Sequence, residues 1–300
     1  MNSNLIQTKT GYRSIEPKPD QSELDAFYKD SYFKPGVTST YHASYTEDEI
    51  KYKENRAAAT VRFIDSNSNK RDLKLLDIGA GEGFLLRAAN DFGWKVKGVD
   101  FQLEPCITFN KVMAECFEVA NPMEFLDNSS TLDEKYDVVC LQNVIEHVRE
   151  PEALIRLAKK NLAADGYLFI QVPNDFSDLQ RFCIDQKFVS EEYWVSPPQH
   201  LSYFSKESLE NFLKVEGLHC HDFFSDFPIE LLLCGSKDNY INDSSLGPIA
   251  HKSRVLLDNE FFNKGIDLYI NFYRSMSHLG LGRNIIALAK RENVSGKPDQ

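Results

Sequence analysis

The run Leu75-Leu76-Asp77-Ile78-Gly79-Ala80-Gly81-Glu82-Gly83 constrains this chain more than any other stretch. An apolar strand passes there into a Gly-x-Gly-x-Gly turn, and a helix-like segment, Phe84 to Asp91, follows. Glycine accepts positive φ and carries no Cβ, so the backbone turns sharply at the strand's carboxyl end and a ligand can lie against it. The spacing matters as much as the glycines. A dinucleotide fingerprint reads Gly-x-Gly-x-x-Gly and turns a helix N-terminus toward a pyrophosphate. Position 84 is Phe84 here, so the turn suits a ligand without phosphates. A second strand, Lys95-Val96-Lys97-Gly98-Val99-Asp100, ends in a carboxylate at about the ~20-residue interval typical of a ribose-binding acid.

Strands and helices alternate around this turn. Strands are expected at Lys74–Ile78, Lys95–Asp100, near Cys116–Val119, at Tyr136–Leu141, at Tyr167–Val172 and near His219–Phe224. The first helix opens at Thr46-Glu47-Asp48-Glu49, with an N-cap and an acidic first turn, and runs to about Ile64. Another starts near Glu150-Pro151-Glu152 and ends before Gly166, which releases the chain into the fifth strand. A third is capped by Ser205 and ends at Gly217. Asn284–Lys290 reads as an antiparallel seventh strand. The expected fold is therefore α/β, a Rossmann-like, doubly wound, seven-stranded sheet, mostly parallel with an antiparallel last strand. We divide the chain into a polar, irregular but aromatic-rich segment (1–45), a core (46–225), a helical insertion or lid (226–282) and a last strand with tail (283–300). Helical parts of the insertion are expected around Ser253–Leu257 and Phe261–Met276.

Four pieces carry a family resemblance: Leu-Asp-Ile-Gly-Ala-Gly-Glu-Gly-Phe, then Gly-Val-Asp, then Tyr136-Asp137-Val138-Val139, then Val144-Ile145-Glu146-His147-Val148. Together, over roughly residues 50 to 225, they resemble class I S-adenosylmethionine-dependent methyltransferases, in the ubiquinone-biosynthesis-like small-molecule branch. The resemblance implies S-adenosylmethionine as cofactor. It implies that Gly79, Ala80 and Gly81 meet the methionine moiety and Asp100 the ribose, with Phe101 and Gln102 on one adenine face. It places Asn121 at the adenine amine, where an acid is commoner, and Gln142 and Asn143 at the methionine end. Asp77 belongs either to this site or to the local organisation of the loop. No Asn-Pro-Pro-Tyr-type motif follows the fourth strand, which speaks against nucleic-acid or glutamine N-methylation of the kind that motif serves.

Methyl transfer from a sulfonium gains from aligning acceptor and methyl group, with proton removal added where the acceptor is a hydroxyl. Two histidines stand in loops that leave the carboxyl ends of strands, where open α/β sheets bind ligands. They are His147, beside Glu146, and His200 in Pro197-Pro198-Gln199-His200-Leu201. An imidazole with a pKa near ~6.5 can take a hydroxyl proton close to neutral pH. His200 is expected as the base and His147, with Glu146, as a shaper of the methyl-donor site; the bland alternative is that each fixes a loop. The aromatic residues Tyr12, Phe27, Tyr28, Tyr32, Phe33, Tyr41 and Tyr45, with Tyr193-Trp194-Val195-Ser196-Pro197-Pro198, form either a lid or a dock for the termini.

Charge narrows the partners. Forty-five acidic against 34 basic residues give a formal charge of −11 with no dense basic run, which disfavours DNA, RNA and anionic membrane. No apolar run approaches the ~18 residues of a membrane span, and Met1-Asn2-Ser3-Asn4 opens no signal peptide, so a cytoplasmic protein is expected. The six cysteines lack C-x-x-C pairs and read as reduced, mostly buried thiols, with no metal site. Pro105-Cys106, which is superficially similar to the nucleophilic pair of cytosine-C5 methyltransferases, follows the second strand where that family places it after the fourth. The stretches Gly247 to Arg254 and Gly280 to Arg283 are similar to bacterial surface-glycan-associated methyltransferases, which implies a sugar or glycan hydroxyl as acceptor and His251, Arg254 and Arg283 as its contacts, or else as capping and ion-pairing residues. A quinone- or phenol-like hydroxyl, a non-catalytic scaffold and a nicotinamide-dependent oxidoreductase remain as other readings, and a homo-oligomer stays open.

Overall fold

A computed structural model describes residues 4–20, 22–24, 44–235 and 239–292. Phe27, Tyr28, Tyr32, Phe33 and Tyr41, and the tail beyond residue 292, lie outside the described residues. In chain order the elements begin with β1 (Asn4–Gln7), β2 (Arg13–Glu16), α1 (Glu47–Asn67), β3 (Lys74–Ile78), α2 (Phe84–Asp91), β4 (Lys95–Asp100), α3 (Glu104–Asn110), β5 (Phe117–Val119) and α4 (Pro122–Ser130). They continue with β6 (Tyr136–Gln142), α5 (Pro151–Asn161), β7 (Leu162–Pro173), α6 (Asp178–Asp185), β8 (Ser202–Tyr203), α7 (Lys206–Val215), β9 (Leu218–Ser225), α8 (Gly247–Asn263), α9 (Ile266–His278) and β10 (Asn284–Arg291).

The strands β5-β4-β3-β6-β7-β10-β9 form one sheet in that order. Neighbours from β5 to β7 are parallel, while β10 runs antiparallel to both β7 and β9. This is the expected Rossmann-like sheet. Its central strands are buried on both faces, which is why they read as unbroken apolar runs: Leu75, Leu76 and Ile78 in β3 and Val138 to Leu141 in β6 are all inaccessible. One apolar cluster, with Leu154, Ile155 and Phe212, covers one face; another, with Phe63, Leu86 and Tyr273, covers the other. Helix α1 starts where its cap dictates. The Thr46 side chain accepts from the Glu49 N–H while Glu49 reaches back to the Thr46 N–H at 2.7 Å, and the helix runs past Ile64 to Asn67.

Three local expectations need correcting. β7 begins at Leu162, so Gly166 sits inside the strand and does not release the chain into it. Pairing jumps from Tyr136↔Leu162 to Val138↔Tyr167, and a Cβ on Gly166 would lie 3.0 Å from the Tyr136 carbonyl, so the irregular register demands the glycine. The stretch Phe261–Met276 is not one helix, because α8 closes at Asn263 and Gly265, at φ 122°, separates it from α9. The N-terminal segment is not wholly irregular: β1, β2 and β8 form a small second sheet, with Arg13 opposite Tyr203.

Residues 226–282 are built into the body. Tyr269 and Tyr273 of α9 pack with Phe63 and Phe224, and both hydroxyls donate to the buried Asp258 of α8, Tyr269 at 2.8 Å. The Asn55 side chain donates to Asn259 at 2.9 Å, which fixes α8 on α1. No helix of the described residues is long and apolar enough to cross a membrane.

Candidate active site

The glycine turn stands at the mouth of a cavity of ≈ 840 Å³ over the carboxyl ends of β3, β4, β6 and β7. Gly79, Gly81 and Gly83 all have positive φ. A Cβ on Gly81 would meet only the Gly79 carbonyl, at 3.9 Å, and would otherwise stand in the cavity. Gly83 serves packing instead, since a Cβ there would come within 2.9 Å of Cys106 Sγ. That contact also accounts for Cys106, a buried thiol with its pKa pushed up to about 11 by burial and by Cys116.

Asp100 ties the turn to the end of β4. Its carboxylate accepts from the Gly81 N–H at 2.9 Å and from the Phe101 N–H at 2.6 Å. Burial lifts its pKa to about 6, against the pull of those N–H groups. Asp77 lies deeper, its pKa raised to about 8 by burial and by Asp100, with Gln142 donating to it. Its Oδ1 is buried without a partner. Asn121 caps α4: its Oδ1 accepts from the Met123 N–H at 2.9 Å and the Glu124 N–H at 3.4 Å. That fixes the amide's orientation, so Asn121 offers its own N–H₂ to a ligand. Asp77, Gly79, Ala80, Gly81, Asp100, Phe101, Asn121, Gln142 and Asn143 all line the cavity.

The histidines separate. His147 lines the cavity and His200 does not; the two rings meet edge to face, 4.9 Å apart, with His200 behind. His147 Nδ1 lies 2.6 Å from the Gln199 carbonyl, which can only accept, so Nδ1 carries the proton and Nε2 the lone pair. Glu146 Oε1 is 3.7 Å from that Nε2. Burial drives His147 down to about 4 and Glu146 up to about 8, while His200 falls to about 2 through burial, His147 and Arg283. His200, expected as the base, is thus held off the cavity behind His147. Among the described residues, Glu146, His147 and His200 bring donor atoms within 4.8 Å of one another, a set of a kind that could hold a divalent cation.

The rings of Tyr12 and Trp194, read as lid or dock, and the basic residues read as acceptor contacts or ion-pairing groups, lie away from the cavity. Trp194 packs on Phe176 at 5.3 Å in the cluster beneath the small sheet, and Tyr12 stacks on Phe204 at 4.7 Å, so these rings dock segments onto the core. His251 contacts Glu49 at 2.8 Å and Arg254 contacts His251 at 3.0 Å, both beside α1, and Arg283 pairs with the buried Asp175 at 3.0 Å. None of these residues, and none of the described residues of 226–282, lines the cavity. Residues the sequence did not flag do: Tyr52, Lys53 and Arg56 of α1, Gln171 of β7 and Asn284 at the start of β10. Only the spacing 52, 53, 56 on one helix could have drawn attention to the first three.

Residues 52–222 match the family described as "Methyltransferase domain". The chain is 32% identical over 164 residues to a ubiquinone biosynthesis O-methyltransferase of Actinobacillus pleuropneumoniae serotype 7 (strain AP76), covering 52% of this chain and 65% of that protein. It is 30% identical over 169 residues to the protein of the same name from Pasteurella multocida (strain Pm70), again covering 52% of this chain and 65% of the relative. It thus spans just under two thirds of the length of these relatives. Among solved structures, a 1,6-didemethyltoxoflavin-N1-methyltransferase of Burkholderia thailandensis superposes with a TM-score of 0.52 at 14% identity, over 98% of this chain and 100% of that one. A SAM-dependent methyltransferase from Archaeoglobus fulgidus gives 0.50 at 18% identity, over 80% and 94%. At these identities the two structures speak for the fold.

Proposed function

The chain belongs to the family of class I S-adenosylmethionine-dependent methyltransferases, and from that premise we propose that it methylates a hydroxyl of a small acceptor, a sugar or glycan precursor. The residues fit this cofactor. Gly81 leaves open the space a Cβ would fill, Asp100 retains acceptor capacity beyond its three backbone donors, the N–H groups of Gly81, Phe101 and Gln102, and the orphaned Asp77 Oδ1 lies beneath the turn. When bound, S-adenosylmethionine supplies an electrophilic methyl group on a sulfonium.

The observation that carries the reading is one continuous cavity, running from Asp100 and Phe101 past Gly79 and Asn143 to Gln171 and Asn284. Its ≈ 840 Å³ falls in the upper part of the ~300–1,000 Å³ range of small-molecule sites, room for an acceptor beside the cofactor. Gly79, Gly81 and Asp100 would orient the donor. Asn143, held at φ 52° with its N–H on the Gln171 carbonyl at 2.8 Å, would sit between the two ligands. His147 is neutral at pH 7, and its Nε2 is the lone pair we assign to receive the hydroxyl proton, with Glu146 beside it. A quinone or phenol hydroxyl is the second reading, favoured by the likeness to ubiquinone biosynthesis O-methyltransferases.

The first experiment is calorimetry with S-adenosylmethionine and S-adenosylhomocysteine on wild type and Asp100→Ala, with a nicotinamide dinucleotide as control. Binding of the sulfur ligands, weakened about 10- to 100-fold by the substitution, supports the reading. Binding of the dinucleotide alone would sink it. Release of S-adenosylhomocysteine with sugar and phenolic acceptors then separates the two acceptor classes, and His147→Ala should lower kcat by about 100-fold or more if the imidazole takes the proton.

A further inference from the structure

One wall of the cavity is assembled from parts of the chain that no motif connects. Arg56 donates from Nη1 to the Tyr52 hydroxyl at 2.9 Å and to Asp226 Oδ2 at 2.8 Å, and from Nη2 to Gln171 Oε1 at 3.4 Å. Gln171 Nε2 reaches Asn143 Oδ1 at 3.4 Å. Asn284 holds Asp226 in place, with its backbone N–H on Oδ1 at 2.7 Å and its side-chain amide on Oδ2. All but Asp226 line the cavity, and Asp226 stands behind Arg56.

Two properties of this wall choose a ligand. Its charge is matched internally: Arg56 is paired with Asp226, and neighbouring Lys53 lies 2.7 Å from Glu82. An anionic acceptor would therefore have to displace an existing partner. The wall also offers donors and acceptors side by side, from guanidinium and amide N–H groups to amide carbonyls. The two contacts of Gln171 are long, at 3.4 Å, so its amide is weakly held and can turn to a ligand. A hydroxyl both donates and accepts, and adjacent ring hydroxyls do so in pairs. A phenol or catechol keeps its hydroxyls in the ring plane, and its apolar faces would strip water from the remaining groups of the wall and return no hydrogen bond to them.

The geometry points to this wall as the acceptor subsite, built for neighbouring neutral hydroxyls of a sugar ring, with Gln171 as the residue that determines specificity. The inference rests on the methyltransferase reading above and deepens it.

The test uses wild type, Gln171→Leu and Tyr52→Phe, the last deleting a single oxygen and so keeping the comparison if the first fails to fold. S-adenosylhomocysteine affinity is measured by calorimetry. Binding to the S-adenosylhomocysteine-loaded protein is then measured by saturation-transfer NMR with methyl glycosides of hexoses and deoxyhexoses, and with catechol as the planar phenolic probe. At least one glycoside should bind wild type better than catechol does. Its affinity should fall about tenfold in Gln171→Leu, and by less in Tyr52→Phe, while S-adenosylhomocysteine binding changes by less than about twofold. If the cofactor product weakens in parallel with the glycoside, the wall holds the cofactor's amino-acid end and the inference is overturned. It is equally overturned if catechol binds best, or if no glycoside binds. Failure of S-adenosylhomocysteine to bind wild type would defeat the methyltransferase reading and the inference together, and is separable from every other outcome.

Discussion

The two ends of the cavity are made of different material. Most of the donor end comes from one contiguous stretch, residues 75 to 101, with Asn121 and Gln142 added from later loops, and much of its work is done by backbone: glycines at positive φ and N–H groups of Gly81 and Phe101 on a single carboxylate. The acceptor end comes from residues 52, 56, 143, 171 and 284, with Asp226 behind them, and it works through side chains. A backbone site needs particular φ values and empty Cβ positions, so it dictates residue types at fixed spacing. A side-chain site needs only that topology bring suitable groups together, and many combinations would serve.

That contrast can be attacked first where the backbone has least freedom. Gly79 is at φ 75°, and a Cβ there would lie 2.7 Å from Val144 Cγ2. Gly79→Val should abolish S-adenosylhomocysteine binding, a loss of at least about a thousandfold or ~4 kcal/mol, seen in a titration. Retained binding would show that the donor end tolerates a side chain and is less backbone-determined than we argue.

At the other end the corresponding blow is electrostatic. Asp226→Ala leaves the mostly buried Arg56 without its ionic partner and should cost about 3 kcal/mol of stability by denaturant titration. Cofactor-product affinity should hold. A loss of that affinity with unchanged stability would mean that Arg56 belongs to the donor end.

A smaller effect is expected at Asp100→Asn, which keeps the shape but removes the charge accepting three N–H groups. S-adenosylhomocysteine affinity should fall about tenfold at pH 7.5, and the wild-type affinity should itself weaken as pH drops through about 6, where Asp100 protonates. An affinity flat from pH 7.5 to 5 would remove the carboxylate from the site.

The last effect is on the ligand-free protein. Asp77 and Glu146 titrate near about 8 in the fold, well above their ordinary values, so the folded chain holds protons that the unfolded chain has lost. Stability therefore falls as pH rises through this range. The buried histidines oppose this only below about 6.5, where the unfolded chain gains protons that folded His147 refuses. Between about pH 6.5 and 8 the melting temperature should drop by a few degrees, at roughly 1 kcal/mol per pH unit for each carboxyl. Glu146→Gln should remove its share of the slope.

The sheet was legible because its strands are buried on both faces, and Lys74–Ile78 and Lys95–Asp100 appear with the bounds their sequence implies. The capping boxes at Thr46 and Ser205 were legible for a similar reason, since local hydrogen bonds set them. Gly166 was misread because its role depends on the carbonyls of Tyr136 and Asp137, which belong to another strand. The rings of Tyr193 and Trp194 suited a lid or a dock equally well until the second sheet fixed their partners. His200 resembled His147 in sequence terms, and only packing put one against the cavity and the other behind it. Arg56 and Gln171 had no signature because their partners lie up to 170 residues away.

The position of β10 bears on how this molecule is made. Last in sequence among the described strands, it occupies the slot between β7 and β9 and carries Asn284 at its leading end. A nascent chain that has emerged only to residue 283 has two long strands facing an empty slot, each with an unsatisfied row of N–H and C=O groups. Such edges invite mispairing with other chains. Closure of the sheet and completion of the acceptor wall then fall to the same late event, so the chain would acquire its donor pocket during synthesis well before it could recognise what it modifies.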